Sequence, residues 1–219
     1  MRRKSFDAIM SAGGVLLTVV LVVAGALAFW GYSYTNNTVK SQLASQKITF
    51  PTKAAFAHAQ PGTEITPGMI PYLEKYAGQQ MTTGAQAEAY ADHFIAVHLS
   101  EMPYKGVYSQ VSAAAMAAAP GSAQATQLKA LEQTVFQGTS LRGMLLNAYG
   151  WWKMGQIALL AAIAMWALAL VMGVLSVLGL RHFRRAPVTE EIPRLATVDS
   201  FAASPAAVTN GKVTTGATI

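Results

Sequence analysis

Cysteine is absent from the 219 residues, which excludes disulfides, a thiol nucleophile and any Cys-ligated zinc or iron–sulfur centre. Charge is scarce as well: 12% of the chain is Asp, Glu, Lys or Arg, against about 25% in an ordinary soluble domain. With 53% hydrophobic residues, that balance points to membrane insertion. No block alternates apolar and polar residues with a period of two, so no strand-rich layer is expected. Neither a phosphate loop nor a nucleophile elbow is present, and no Ser/His/Asp constellation follows from spacing. The net charge of +6 comes mostly from the ends, with Arg2, Arg3 and Lys4 before the first apolar run and Arg181, Arg184 and Arg185 after the last. Without a basic face carrying interleaved aromatics, this charge does not read as a nucleic-acid surface.

Long uncharged runs are what the chain has. Ala8 to Tyr32 and Met154 to Leu180 each lack any charge, and each as a helix is long enough for a hydrocarbon core of about 30 Å. The positive-inside rule then puts both termini in the cytoplasm and the intervening residues outside. That loop carries eight Lys/Arg against six Asp/Glu, so it adds only weakly to the assignment. Trp30, Tyr32 and Tyr34 close the first run, and Tyr149, Trp151 and Trp152 open the second, as an aromatic belt at one interface requires. The rival for the first run is a cleaved signal peptide with an Ala26-Leu27-Ala28 site. The run is longer than such a segment, however, and Phe29-Trp30 continues it past the cut. Neither run holds an ionisable residue, which argues against an ion or proton pathway. Small residues four apart, Gly14 with Thr18, Ala24 with Ala28 and Ala158 with Ala162, would permit close helix approach.

The expected organisation is all-α: a cytoplasmic N-terminus (1–7), a first transmembrane helix (8–32), a small helical extracytoplasmic domain (33–153), a second transmembrane helix (154–180), and a basic cluster with a disordered C-terminal tail (181–219). Composition alone motivates the tail's disorder. Within 33–153 the first helix extends outward until "ITFP" turns it, and a short helix is expected at Pro67 to Tyr76 amid prolines. Thr82 or Thr83 caps the next helix, which runs to Pro103 and Gly106. Further helices are expected over Tyr104 to Ala119, over Gln124 to Gln137, and from Thr139 or Ser140 into the second span.

The stretch "AYADHFIAVHLSEMPYKG" holds two of the four histidines. At 100° per residue His93 and His98 fall about 140° apart and do not converge, unlike the zinc-helix pattern of histidines four apart. His98 on the apolar side reads as a buried histidine bonded to backbone or to Glu101, and Asp92 with His93 as a solvated pair. The weak metal candidates are therefore His58, Asp92, His93, His98 and Glu101, and they require the fold to bring His58 to the others. No cofactor is expected.

The "ITFP" turn, "TGAQAEAYADHFIAVHL" and the Tyr/Trp-led second run ending in "HFRR" make the chain resemble a group of uncharacterised actinobacterial two-span membrane proteins with a helical extracytoplasmic loop. The resemblance spans residues 1 to about 185 and implies architecture and location only. Members of such groups sometimes carry the label of a ring-opening dioxygenase. Non-haem iron chemistry of that kind typically needs two histidines and a carboxylate converging on one metal, and the spacing here supplies no such set.

Three functional readings follow. The first is a non-enzymatic protein of the bacterial cell membrane, an accessory or scaffold subunit whose partners are the bilayer and a membrane protein or further copies of itself. The second is an extracytoplasmic ligand-binding or sensor module with Tyr90, Phe94 and "FPTKAAFAHAQPG" around a pocket. A metal-dependent enzyme built on His58 is the third.

Overall fold

A computed structural model describes residues 3–185, so the expected disordered tail lies outside the described residues. The described chain is helical, with one isolated antiparallel bridge between Thr49 and Gln80. Its helices are α1 (Arg3–Ser45), α2 (Lys53–Ala57), α3 (Ile70–Leu73), α4 (Gly84–Tyr90), α5 (Ala96–Glu101), α6 (Tyr108–Ala117) and α7 (Ala123–Arg185). By contact the chain divides into two compact units. One is Leu16–Met172 and the other is made of Met1–Val15 and Gly173–Ile219.

Two of these helices, α1 and α7, are long and apolar enough to cross a membrane. Only 6% and 11% of their most apolar 18-residue stretches are buried, which is the reverse of a core helix in a soluble protein. No proline falls within α1, which at about 1.5 Å per residue continues well past its apolar run, as the sequence led us to expect. It stops where Lys47 takes a left-handed conformation (φ 54°) and the Gln46 and Lys47 amides cap the Leu43 and Ala44 carbonyls. By contrast, α7 is one unbroken helix. The expected boundary at Gly138–Ser140 does not exist, because Leu99 packs onto Gly138, where a Cβ would lie 2.9 Å from its side chain. The glycine serves helix approach there rather than helix ending.

Within the larger unit α1 and α7 lie side by side. Gly25 faces the Trp166 indole, which in turn lies 5.7 Å from the Phe29 ring, and Gly155 faces Thr35. The buried residues of the apolar part of α7 in this unit are Gly155, Ala162 and Ala169, seven apart, which is the period of a left-handed helix pair with small residues at the seam. The expected pairs at four-residue spacing were only partly informative. Ala162 is buried and Ala158 half-buried, but the repeat that organises the seam is seven. In the smaller unit a Cβ on Gly179 would lie 2.8 Å from the Ser11 hydroxyl.

Between the long helices, short elements surround a core to which both contribute: Val39 and Leu43 from α1 and Leu145 from α7 join Phe50, Phe56, Met69, Leu73, Met81, Ala91, Ile95 and Leu99. After α1 the chain extends through Ile48–Phe50 and clips onto Gln79–Met81, with Phe50 N–H donating to the Gln79 carbonyl and Met81 N–H to the Ile48 carbonyl. That clip buries Phe50 and Met81 completely or nearly so. Helix α2, capped by the Thr52 hydroxyl, was not foreseen, whereas the turn-rich helix over Pro67 to Tyr76 was. Thr83 caps α4 in a full capping box with Gln86, because Thr and Gln three residues apart can satisfy each other's backbone donors. The helix expected to run on from there ends before Pro103, as expected, but is interrupted once on the way. A π turn at Ala91–Ile95 joins α4 to α5, the Ala96 amide reaching back to the Ala91 carbonyl. The Pro103–Gly106 turn then precedes α6, so no helix begins at Tyr104.

Candidate functional site

A grouping of polar and aromatic side chains lies along the π turn and α5. A run of touching rings passes through it: Tyr76 to Phe50 (5.2 Å between centroids), Phe50 to Tyr90 (5.5 Å), Tyr90 to Phe94 (4.6 Å) and Phe94 to His98 (4.5 Å). Tyr90 and Phe94 are thus occupied with each other and with Phe50. Burial, and after it the negative charge of Glu64, raises the Tyr90 phenol above its ordinary value of 10.0.

The histidines take separate partners. His93 stacks face to face on Tyr72, with centroids 3.4 Å apart and planes 4° apart. The Nδ1 of His98 lies 2.7 Å from the Phe94 carbonyl oxygen, the backbone bond expected for it. His58 is the exposed C-terminal cap of α2, and Glu101 is exposed at the end of α5. Among the described residues no three His, Cys, Asp or Glu side chains come close enough to hold a metal.

Asp92 departs from the solvated reading. The Arg142 guanidinium donates to its Oδ1 at 2.7 Å, both side chains being about one-third exposed (39% and 34%). His93 is half-buried against Tyr72 rather than solvated. Beside the ion pair opens a cleft of about 350 Å³, lined among others by Leu99, Ser100, Lys105, Tyr108, Thr139 and Arg142. A second, of about 400 Å³, lies between Pro103, Tyr104 and the start of α7. The Pro103–Gly106 turn borders both. Sequence reading missed Arg142 and Lys105, although Arg142 is the only charge between Glu132 and Lys153, and a lone charge in twenty residues was a usable signal.

The aromatic residues expected at an interface form two groups. Trp30 stacks on Tyr34 at 5.8 Å, and Tyr149 stacks on Trp152 at 6.2 Å. Trp30, Tyr34 and Trp151 are exposed, while Trp152 is half-buried and its Cβ would be 2.3 Å from a Cβ on Gly84. Tyr32 lies 5.9 Å from Phe29, and the basic cluster Arg181, Arg184 and Arg185 ends α7. Compared with known proteins, the chain matches no family model, no curated protein and no solved structure.

Proposed function

We propose that the protein is a non-enzymatic two-span protein of the bacterial cell membrane, with both termini cytoplasmic, whose extracytoplasmic helical domain acts as an accessory subunit of a larger membrane assembly. The observation that carries this reading is apolar surface where lipid cannot cover it. Met144 on α7 is 70% exposed and Phe136 is 52% exposed. Met144 precedes the start of the second apolar run by ten residues, or about 15 Å of helix, while the headgroup layer is only about 5–8 Å deep. Exposed apolar side chains at that height, with exposed Trp151 at the interface, fit a partner that is itself membrane-embedded. The absence of an ionisable residue from both apolar runs favours an accessory role over transport.

Purification of tagged protein from its native membrane in mild detergent tests this. We expect a stoichiometric membrane-protein partner that is lost from a Met144→Glu variant which still folds. A monomer with nothing bound, or a partner retained equally by Met144→Glu, would overturn the reading.

A further inference from the structure

The cleft beside the Asp92–Arg142 pair has three properties that an ordinary surface groove lacks. It has two cations, Lys105 and Arg142, and no Asp or Glu along its lining. One oxygen of Asp92 engages Arg142, but Lys105 has no ion pair among the described residues, and the Nε of Arg142 is buried without a hydrogen-bond partner. Thr139 and Tyr108, both hydroxyl-bearing, line the same space as these residues.

The backbone that delivers Lys105 is strained. Tyr104 (φ 58°), Lys105 (φ 52°) and Gly106 (φ 63°) are three successive left-handed residues, two of them with side chains that disfavour this region. Gly106 is fixed by its surroundings, since a Cβ there would lie 2.4 Å from the Leu99 carbonyl oxygen. Such strain persists where the surrounding structure over-determines it, and it concentrates at ligand clamps. Here it holds a lysine at a cleft already carrying an arginine.

We infer that this cleft binds a small water-soluble oxyanion, a phosphate- or carboxylate-bearing ligand held between Lys105 and Arg142 with hydrogen bonds from Thr139 and Tyr108. Guanidinium and ammonium donors with hydroxyls suit oxyanion geometry. Lipid headgroups are the other source of the same chemistry. Arg142 lies twelve residues, about 18 Å of helix, before the second apolar run, beyond the roughly 5–8 Å headgroup layer, and the height favours a ligand from water. Only that height estimate rests on the membrane reading above; the cleft itself does not depend on a protein partner.

The test is calorimetric titration of inorganic phosphate into the full chain in phosphatidylcholine nanodiscs. Saturable binding in the millimolar range or tighter is expected. Lys105→Gln, an exposed change outside the core, should weaken it about tenfold, the loss of one charge-assisted contact, and Lys105→Arg should restore it. No saturable binding, or equal affinity in Lys105→Gln, would overturn the inference. Repeating the titration with phosphatidylglycerol in the disc separates the sources. Unchanged affinity supports a soluble ligand, and phosphate binding abolished by the anionic lipid would make a headgroup the occupant and overturn the assignment.

Discussion

Arg142 on α7 donates a 2.7 Å hydrogen bond to Asp92 in the π turn, joining positions 50 residues apart. The bond ties the short helices to the longest one, close to the buried Leu145 and Leu99. Both partners are about one-third exposed, so solvent screens the pair, and its coupling should be about 1 kcal/mol rather than the larger value of a buried pair. A double-mutant cycle with Asp92→Asn and Arg142→Gln, read by denaturant unfolding in detergent, should return a coupling of that size. A coupling indistinguishable from zero would mean that the contact is incidental.

Two glycines separate tolerable from intolerable crowding. A Cβ on Gly84 would lie 2.3 Å from the Cβ of Trp152 and 2.6 Å from its Cγ, atoms fixed to the α7 backbone. A Cβ on Gly25 would meet only the outer indole edge of Trp166, at 2.5 Å from Nε1, and that ring is 39% exposed and can swing. Gly84→Ala should therefore destabilise by about 2–3 kcal/mol, in the upper range of overpacking. Gly25→Ala should cost less than about 1 kcal/mol, because the ring yields and alanine favours the helix. Melting both variants in the same detergent gives the comparison, and equal losses would refute it.

The elements legible in the sequence were those with local signals. Uncharged runs marked α1 and α7, Thr82 or Thr83 marked the start of α4, and clustered prolines marked the turn-rich helix at Pro67 to Tyr76. What could not be read depends on distant chain. Nothing in "ADHFI" distinguishes a π turn from α-helix, so even rotation at 100° per residue was the wrong geometry there. The stop at Pro103 and Gly106 was legible from those two residues, but the later start of α6 was not, because Tyr104 and Lys105 adopt left-handed angles that their side chains do not advertise. A boundary was expected between Gln137 and Thr139, yet Gly138 there receives Leu99 from 39 residues earlier. At the candidate site the bond of His98 to backbone was foreseeable from its position on the helix, but the partner of Asp92 was not, since pairing across 50 residues leaves no spacing to detect.

Tyr90 should make the protein sensitive to alkali. Its phenol is raised above 10.0, first by burial and then by the Glu64 charge, so in the folded state it keeps its proton at a pH where the unfolded chain has begun to lose it. Between the unfolded and folded values the native state binds more protons, and stability falls as pH rises. The contribution is complete below pH 10.0 and is lost as pH climbs through the folded value. Tyr90→Phe should flatten that alkaline decline, and Glu64→Gln should lower the midpoint of tyrosinate formation followed by ultraviolet absorbance. A decline as steep in Tyr90→Phe as in the parent would assign it to other groups.

The pairing of the two long helices can be tested against a clean background, because no native cysteine competes. A Cβ on Gly179 would lie 3.9 Å from that of Ser11, and one on Gly155 would lie 3.5 Å from that of Thr35. Both separations fall in the range of about 3.5–4.5 Å that a disulfide spans. Ser11→Cys with Gly179→Cys, and Thr35→Cys with Gly155→Cys, should each oxidise within one chain. After proteolytic nicking of the intervening region, the two fragments should stay joined until reduced. Thr35→Cys with Ala169→Cys is the control, since Ala169 lies about 21 Å along α7 from Gly155, and it should give no bond. Bonds that form between chains instead would mean that the seam of Gly155, Ala162 and Ala169 joins protomers, and then a second copy, not a different membrane protein, would be the first partner to consider for the apolar surface at Met144.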